Sequence, residues 1–487
     1  MASRRIRAFK RWMKSNAVDF TDALDFTDAP DEGVAVRALA DLKEGDVVAK
    51  IPKSACLTVR TTGARDIIES AGLDGSLGLS VAIMFEISLG AASPWAGYLQ
   101  VLPEKEDIPL VWSVGQVDSL LRGTELHKVV KEDKGLVVED WEENISPLLD
   151  DLLSSGGASP RFFGVEQYFY ARSLVASRSF EIDDFHGYGM VPLADMFNHK
   201  TGAEDVHFTS VASHSDSEDA ETDSDVTSDD DGGNHKSESR EAKSIVDVGN
   251  DSALMEMIMV KDVKAGAEVF NTYGLVGNAA LLHRYGFTEP TNLYDIVNID
   301  MELVVQWSLE SFSSRHSRSR LSLWRNLDFS SCTSQDSEYF EVSYNGEPQI
   351  ELLVLLYILL LPDGVYHDLD LAVSTAITKN GSVSTIFSEK CCIATDESSE
   401  MCRDMLLTKG VRNGLLSLAD KREALYGLNT LEDDIKALKA CCPRQRKLYH
   451  SLMLRVSERR ILQRFRDRAR AVMPSNKSSA RKRFKKT

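Results

Sequence analysis

The sequence predicts an α+β protein, with a β-rich N-terminal domain of about 290 residues followed by an all-helical domain of about 180 residues. Short segments of strand character lie at residues 34–39, 46–51 and 254–260, next to Gly-containing turns. From about Thr291 onward, long segments with the 3.6-residue period of helices dominate. The change from short strand-like segments to long helical segments near Thr291 therefore predicts the domain boundary.

Individual helices follow from apolar spacing and from stop signals. Apolar residues 6, 9, 12 and 13 fit an amphipathic helix, although this basic, acid-free start also resembles a transit peptide. Helices are also predicted at 79–89, 165–177 and 278–285, the first and last ended by glycine. The predicted helices of the second domain are residues 301–312, 351–361, 401–417, 431–441 and 448–472.

Composition excludes several classes of protein. The 487 residues are 43% hydrophobic, which is typical of globular proteins. The longest apolar run, residues 352–361, has half the length that a bilayer requires, so we expect no membrane span. Seven cysteines, two adjacent pairs among them, fit a reducing compartment, and the common zinc spacings are missing. A net charge of −19 argues against general nucleic-acid binding.

This net charge combines opposite segments. Residues 212–241 carry 11 acids and 2 bases with almost no large apolar residue, which predicts a disordered acidic loop at about 210–250. Residues 456–487 carry 12 bases and 2 acids. Their last part, 474–487, is either a solvated basic tail or a nuclear-localisation or polyanion-binding patch.

Three blocks carry polar residues inside apolar sequence. They are residues 189–199, with Asp195, Asn198 and His199; residues 268–274, with Tyr273; and residues 278–287, with Tyr285 and Phe287. Asp195, His199 and His207 allow a metal site, but the usual interpretation is a satisfied turn and a core histidine. Two Tyr-Gly pairs downstream of Asn-His favour a cofactor cleft instead.

These blocks resemble SET-domain methyltransferases of the Rubisco large-subunit lysine methyltransferase class. The sequences VFNTYGLVGNAALLHRYGF, RSLVASRSF and MVPLADMFNH are most similar to the SET domain-containing protein 6 and ribosomal lysine methyltransferase 4 group. Glu32-Gly33-Val34 and Trp95-x-x-Tyr98 complete the resemblance in the family's order.

The resemblance assigns roles to residues. Tyr273 matches the catalytic tyrosine. The positions that match S-adenosylmethionine contacts are Glu32, Gly33, Val34, Arg178, Asp195, Asn198, His199, Tyr285 and Phe287. The positions that match substrate contacts are Trp112, Ser179, Glu181 and Tyr285. Family members usually show Gly-x-Gly near the start, whereas the second glycine is Ala35 here. Alanine tolerates positive φ poorly, which questions the geometry of that turn.

The resemblance also implies a fold. Residues 1–289 would form a SET catalytic domain with a pseudo-knot, in which 269–273 passes beneath the loop near Asn198 and His199. A helical insertion would occupy about 90–163, and the acidic loop would interrupt the domain. Residues 290–473 would form the Rubisco methyltransferase-type substrate-binding domain, followed by the disordered tail 474–487.

The implied activity is methylation of a lysine in a non-histone, ribosomal or nuclear protein, with S-adenosylmethionine as the cofactor and without a metal. We expect a basic protein substrate, no direct nucleic-acid or membrane contact, a monomer, and the nucleus, with cytoplasm as the alternative. Two other functions stay open: histidine methylation by the same class, and a non-catalytic scaffold on a SET fold.

Overall fold

The computed structural model describes residues 3–29, 33–154, 159–210, 254–327, 339–380 and 403–471. The predicted acidic loop, from residue 211 onward, lies outside the described residues, as do the predicted tail 474–487 and Glu32. The helices are α1 (Arg4–Ser15), α2 (Arg65–Ser70), α3 (Gly75–Leu89), α4 (Ala96–Leu99), α5 (Val114–Leu120), α6 (Leu126–Asp140), α7 (Leu149–Ser154), α8 (Val165–Arg178), α9 (Asn278–Tyr285), α10 (Met301–Ser311), α11 (Ser314–Asn326), α12 (Ile350–Leu359), α13 (Asp363–Asn380), α14 (Lys409–Ala424), α15 (Leu431–Ala440) and α16 (Arg446–Arg470). The strands are β1 (Asp19–Phe20), β2 (Leu24–Ala29), β3 (Gly33–Ala38), β4 (Val47–Pro52), β5 (Leu57–Thr58), β6 (Ser179–Asp183), β7 (Gly187–Met190), β8 (Val206–Ser210), β9 (Leu254–Met259), β10 (Val297–Asp300) and β11 (Tyr339–Val342).

The chain forms two compact units. Unit 1 comprises Met1–Glu104 and Trp141–Tyr273, and unit 2 comprises Lys105–Asp140 and Gly274–Thr487. This division differs from the predicted domains in two respects. Unit 1 ends at Tyr273 rather than near residue 289, and part of the predicted insertion at 90–163 belongs to unit 2.

Unit 1 contains three small sheets, as the predicted α+β class requires. The first has the strand order β1-β4-β9-β8, the second pairs β2 with β3, and the third has the order β5-β7-β6. Residues 268–271 join these elements: Glu268 bridges to Arg37, and the Val269 N–H donates to the Val36 carbonyl over 2.9 Å. Asn271 forms a parallel bridge with His199. The segment 268–271 therefore lies between β3 and the Asn198–His199 loop.

Helix α1 packs on unit 1 through the apolar face that the sequence predicts. Ser3 caps the helix by accepting a hydrogen bond from the Ile6 N–H over 3.2 Å. Ile6, Phe9, Trp12 and Met13 are buried. The Trp12 ring donates from Nε1 to the Pro94 carbonyl over 2.7 Å, just before α4. These contacts fix α1 as part of the folded unit.

Helix α3 is the most apolar helix of unit 1 and packs against α8. The stretch Gly75–Ala92 is long and apolar enough to cross a membrane by length and composition, with a mean hydropathy of 1.5. Just over half of this stretch, 56%, is buried within the protein. A core helix passes the same test, and the contacts with α8 give α3 that role.

Unit 2 is largely helical, and it also contains one short sheet that the expected all-helical domain did not include. Strands β10 and β11 form an antiparallel two-stranded sheet in which Val297 pairs with Val342. Local periodicity does not reveal this pairing, because the partners are far apart in the sequence. The sheet packs into the main hydrophobic core with α10, α12, α14 and α16.

The segment 105–140 is part of unit 2 because its apolar residues are buried there. Trp112, Val117 and Leu126 form a cluster with Leu282 of α9 and Leu454 of α16. Polar contacts support this packing. Arg422 of α14, which is 3% exposed, donates to the Gly123 carbonyl over 2.6 Å and to the Glu125 carboxylate over 2.8 Å.

Candidate functional site

The centre of the candidate site is the loop that follows β7 and carries Asn198 and His199. Leu193 begins this loop with a φ of 79° and is fully buried. A positive φ is unfavourable for leucine, by about 1–3 kcal/mol, so the surrounding packing must impose it. A 3₁₀ turn, Ala194–Met196, follows and packs against β3. The loop is therefore held rigidly next to β3.

Asp195 anchors this loop from inside the protein. Its side chain is inaccessible to solvent, and its Oδ2 accepts a hydrogen bond from the Tyr98 hydroxyl over 2.8 Å. Arg178, at the end of α8, donates from Nη1 to the Asp195 carbonyl over 3.0 Å and lies 3.4 Å from Oδ2. Burial raises the pKa of the Asp195 carboxyl to about 6, against the opposing effect of Arg178 and Tyr98. Asp195 thus positions Arg178 and the loop, and its own carboxyl group is enclosed.

His199 and Tyr273 are brought together although they are far apart in sequence. The Tyr273 N–H donates to His199 Nδ1 over 2.9 Å, and the two rings stack with centroids 5.0 Å apart. Since Nδ1 is the acceptor, the hydrogen of the neutral imidazole lies on Nε2, which is 3.0 Å from the Thr201 hydroxyl. The Tyr273 hydroxyl donates to the Phe197 carbonyl over 2.9 Å. Its hydrogen is engaged there, so the phenol oxygen is oriented as an acceptor.

The amide of Asn198 is held by a carboxylate. Asn198 Nδ2 donates to Glu268 Oε1 over 2.8 Å, and the Asn271 N–H donates to the Asn198 carbonyl over 2.9 Å. Amide, carboxylate and imidazole groups thus lie along one loop and the segment 268–273, and the Arg178 guanidinium contacts that loop from the end of α8. This is the adjacency that the predicted pseudo-knot requires.

The start of β3 contributes backbone rather than side chains. Gly33 has a φ of 79°, and a Cβ placed there would meet no atom within 4 Å. Gly33 therefore leaves an open backbone surface at the position predicted to lie along the cofactor, and Val34 follows it in β3. Ala35 pairs with Thr27 in regular antiparallel strands and needs no positive φ. The replacement of the second glycine by alanine is thus compatible with this strand.

Two further predicted residues lie on β6. Ser179 begins this strand and donates from Oγ to the Val175 carbonyl over 2.8 Å, while the Glu181 side chain is exposed. In its sheet β6 is an outer strand, next to β7. The Glu181 side chain is therefore accessible from solvent.

Three predicted residues belong to unit 2. Tyr285 ends α9 and lies 6.4 Å from Phe287 between ring centroids, on either side of Gly286 in the left-handed conformation. Burial raises the pKa of the Tyr285 hydroxyl. Trp112 is 2% exposed in the cluster with Leu126 and Leu454, and Lys447 Nζ lies 5.6 Å from its ring. This buried position makes Trp112 a core residue of unit 2, and it gives no support to a role in lining a substrate groove.

The sequence did not reveal three contributors to this site. Tyr98 supports Asp195, Glu268 holds Asn198, and Leu193 sets the course of the loop. Tyr98 and Asp195 are 97 residues apart, so a single sequence gives no sign that they are in contact. A signal for Glu268 existed, because it is an acid at the start of an apolar segment next to Tyr273.

The residues present fit S-adenosylmethionine better than a metal ion. The cofactor carries a carboxylate, an ammonium group and an adenine, and Arg178, Asn198 and Glu268 offer complementary cationic, amide and anionic groups. Among the residues that the structure describes, no group of three or more His, Cys, Asp or Glu side chains is placed to hold a metal. His207, the third residue of the alternative metal site, pairs with Glu204 over 2.8 Å.

Solved structures with the same fold include the SET domain of LSMT and Rubisco LSMT. The chain superposes on the SET domain of LSMT bound to lysine and AdoHcy with a TM-score of 0.65 and 18% identity, covering 96% of this chain and 90% of that one. For Rubisco LSMT bound to AdoMet the TM-score is 0.64 at 19% identity, covering 96% and 92%. The chain therefore has the fold of Rubisco LSMT, and the predicted fold class is confirmed.

Sequence relatives agree with this fold. The chain is 24% identical to ribosomal lysine N-methyltransferase 3 of Saccharomyces cerevisiae, over 56% of this chain and 59% of that protein. It is 26% identical to N-lysine methyltransferase setd6 of Xenopus tropicalis, over 60% of this chain and 59% of that protein. The matches thus span about three fifths of the length of these relatives. No protein-family model matches the chain. The predicted resemblance to this group of lysine methyltransferases is confirmed.

Proposed function

We propose that the chain is an S-adenosylmethionine-dependent protein-lysine N-methyltransferase. The observation that carries this proposal is the contact of Tyr273 with both His199 and the Phe197 carbonyl, which fixes the tyrosine beside the Asn198 loop. Relatives named lysine N-methyltransferases and solved structures that hold AdoMet or AdoHcy support the same activity.

When bound, the cofactor would supply a methyl group on a sulfonium. Arg178 would face its carboxylate, while Asn198 and Glu268 would orient the amino-acid end and the Gly33 backbone would lie alongside. Methyl transfer by in-line displacement needs a neutral lysine amine, and a desolvated site next to a positive charge lowers the pKa of an amine from about 10.4.

Tyr273 would position that amine. Since its hydroxyl hydrogen is given to the Phe197 carbonyl, its oxygen can accept an amine N–H and so aim the nitrogen lone pair. His199 holds the Tyr273 backbone through Nδ1 and keeps the ring in place. In this scheme Tyr273 orients the amine and does not remove its proton.

The test is Tyr273→Phe. Removal of the positioned hydroxyl should reduce turnover about 100-fold or more while cofactor affinity stays within about threefold. Transfer of tritium from labelled cofactor to a proteome from cells that lack the enzyme measures the rate. Tyr170→Phe is the matched control, because the Tyr170 hydroxyl donates to the Glu166 carboxylate at an exposed position of α8, one helical turn earlier. Equal rates for wild type and Tyr273→Phe would exclude the assigned role.

The substrate that we propose is a basic, non-histone protein of the ribosome or the nucleus. Its support is the net charge of −19 together with the name of the yeast relative, a ribosomal lysine methyltransferase. We further propose a nuclear location, with cytoplasm as the alternative, because residues 474–487 carry 6 bases and no acid. Attaching these residues to a fluorescent protein and imaging it tests the location. We propose that the enzyme acts as a monomer, without a metal.

Two other functions give different experimental results. A histidine methyltransferase would place the label on histidine, which mass spectrometry of the labelled peptide identifies. A non-catalytic scaffold would show no rise in thermal stability with S-adenosylmethionine. The relatives named lysine N-methyltransferases favour the lysine methyltransferase over both.

A further inference from the structure

One face of α16 contacts the segment of unit 2 that begins with α9. The residues on this face are His450, Leu454 and Ser457, which follow one another at spacings of four and three residues. In that order, they contact Thr288, share an apolar cluster with Leu282, and bond to Asp295. Helix α16 therefore supports this segment over two turns.

The first of these contacts joins His450 to Thr288, the residue directly after Phe287. The Thr288 backbone N–H donates to His450 Nδ1 over 3.1 Å, and the Thr288 hydroxyl lies 2.9 Å from the same nitrogen. A backbone N–H only donates, so Nδ1 is an acceptor and the imidazole is neutral, with its hydrogen on Nε2. Burial lowers the pKa of His450 to about 4; Arg446 acts in the same direction, and Asp107 opposes it. The imidazole therefore keeps the required neutral form at neutral pH.

A second contact restrains the same segment at Gly286. This glycine has a φ of 75°, and a Cβ placed there would lie 2.8 Å from the Asp107 carbonyl oxygen. Lys447, three residues before His450 on α16, places its Nζ 3.4 Å from the Asp107 carboxylate. The start of α16 thus holds both the backbone that contacts Gly286 and the residue that follows Phe287.

We propose that His450 is a positioning residue for Phe287 in the cofactor site. The inference rests on the proposed methyltransferase function, in which Phe287 is a predicted cofactor contact. Glycine is conformationally permissive, so the chain could turn at Gly286 if the next anchored residue were released. The bond to the buried Thr288 N–H prevents this and fixes the backbone that carries the Phe287 ring. A ring held in place before the cofactor arrives costs less to order on binding.

The contact with Thr288 differs from the other two contacts on this face. Leu454 and Ser457 attach α16 to the apolar cluster and to Asp295. A hydrogen bond also fixes direction, and this one lies a single residue from Phe287. Loss of the acceptor at His450 should therefore affect cofactor binding beyond any loss of stability.

The experiment measures S-adenosylmethionine affinity of the full chain by titration calorimetry, with circular dichroism melting for stability. His450→Leu removes the acceptor. His450→Asn has nearly the same shape as the leucine variant but places an amide oxygen near the position of Nδ1, so it is the rescue variant. His450→Gln is a second, polar test variant whose amide reaches the position of Nε2 instead.

Tyr426→Phe is the matched control, because it removes a hydrogen bond to the buried Glu458 of α16 and leaves His450 and Thr288 unchanged. We expect His450→Leu and His450→Gln to bind the cofactor about tenfold more weakly, as for one lost hydrogen bond. His450→Asn should stay within about threefold of wild type. Tyr426→Phe should lower the melting temperature and keep the affinity within about twofold.

Wild-type affinity in either test variant would overturn the inference while leaving the proposed function intact. Equal losses of affinity in His450→Leu and Tyr426→Phe would also overturn it, because affinity would then follow stability alone. A wild-type chain that binds no S-adenosylmethionine would refute the proposed function and this inference together.

Discussion

The Asp195 carboxyl group is enclosed by protein, with Tyr98 and Arg178 as its polar neighbours. Burial raises its pKa from 3.8 to about 6. The folded protein therefore binds this proton more tightly than the unfolded chain does, so the contribution of Asp195 to the free energy of unfolding falls as the pH rises from about 4 to about 6. About two pK units correspond to about 3 kcal/mol.

Asp195→Asn should remove this dependence. Urea unfolding at pH 4, 5, 6 and 7 measures it, and the stability of wild type relative to the variant should fall by about 3 kcal/mol over this range. Parallel stability curves for the two proteins would show that the buried carboxyl does not titrate as stated.

Asn198 should affect cofactor affinity rather than stability. Its amide is held by Glu268, so Asn198→Ala removes a positioned polar group at the proposed binding surface. Calorimetry should show about tenfold weaker binding of S-adenosylmethionine, as for loss of one hydrogen bond to a charged group. Asn326→Ala, at the exposed end of α11, serves as the control. Unchanged affinity of Asn198→Ala would mean that the pocket lies elsewhere.

The elements differ in how far the sequence predicted them. Helices α8 and α9 have the expected limits to within a residue, and α1 contains the apolar positions that predicted it, because an apolar stripe and a terminal glycine are local signals. The β10–β11 sheet and the membership of 105–140 in unit 2 depend on partners distant in sequence, which periodicity does not encode. Likewise, the family resemblance predicted that Asn198, His199 and Tyr273 belong to one site. The hydrogen bond from Tyr98 to Asp195 could not be predicted in this way and is evident only from the structure.

The contact between α1 and α4 gives a prediction for packing. A Cβ at Gly97 would lie 2.3 Å from the Trp12 Cβ, so Gly97→Ala requires one helix to move. We expect a loss of about 1–3 kcal/mol in the free energy of unfolding, measured by urea denaturation.

Gly135→Ala is the matched control, because a Cβ at this position of α6 meets nothing within 4 Å. It should leave stability unchanged or raise it by up to about 1 kcal/mol through helix propensity. A Gly97→Ala protein as stable as the control would show that α1 is loosely packed.

At the scale of the whole molecule, the two units do not correspond to two continuous stretches of chain. A fragment that ends at residue 289 keeps Trp112 and Val117 but lacks Leu454, Arg422 and Glu458. The apolar residues of 105–140 would then be exposed, so we expect the fragment to aggregate on gel filtration, whereas 1–473 stays monomeric. A soluble fragment with a cooperative thermal transition would contradict this expectation.

The same connectivity delays the folding of segment 105–140 during synthesis, because its partner is made much later. The Glu125 backbone is bonded to the Glu458 carboxylate, 333 residues further along the chain. At roughly 5–20 residues per second, the ribosome needs about 17 to 70 seconds to make the partner that segment 105–140 requires. During that interval its apolar side chains have no permanent burial site, and the nascent chain depends on chaperones or on rapid completion of synthesis to escape aggregation.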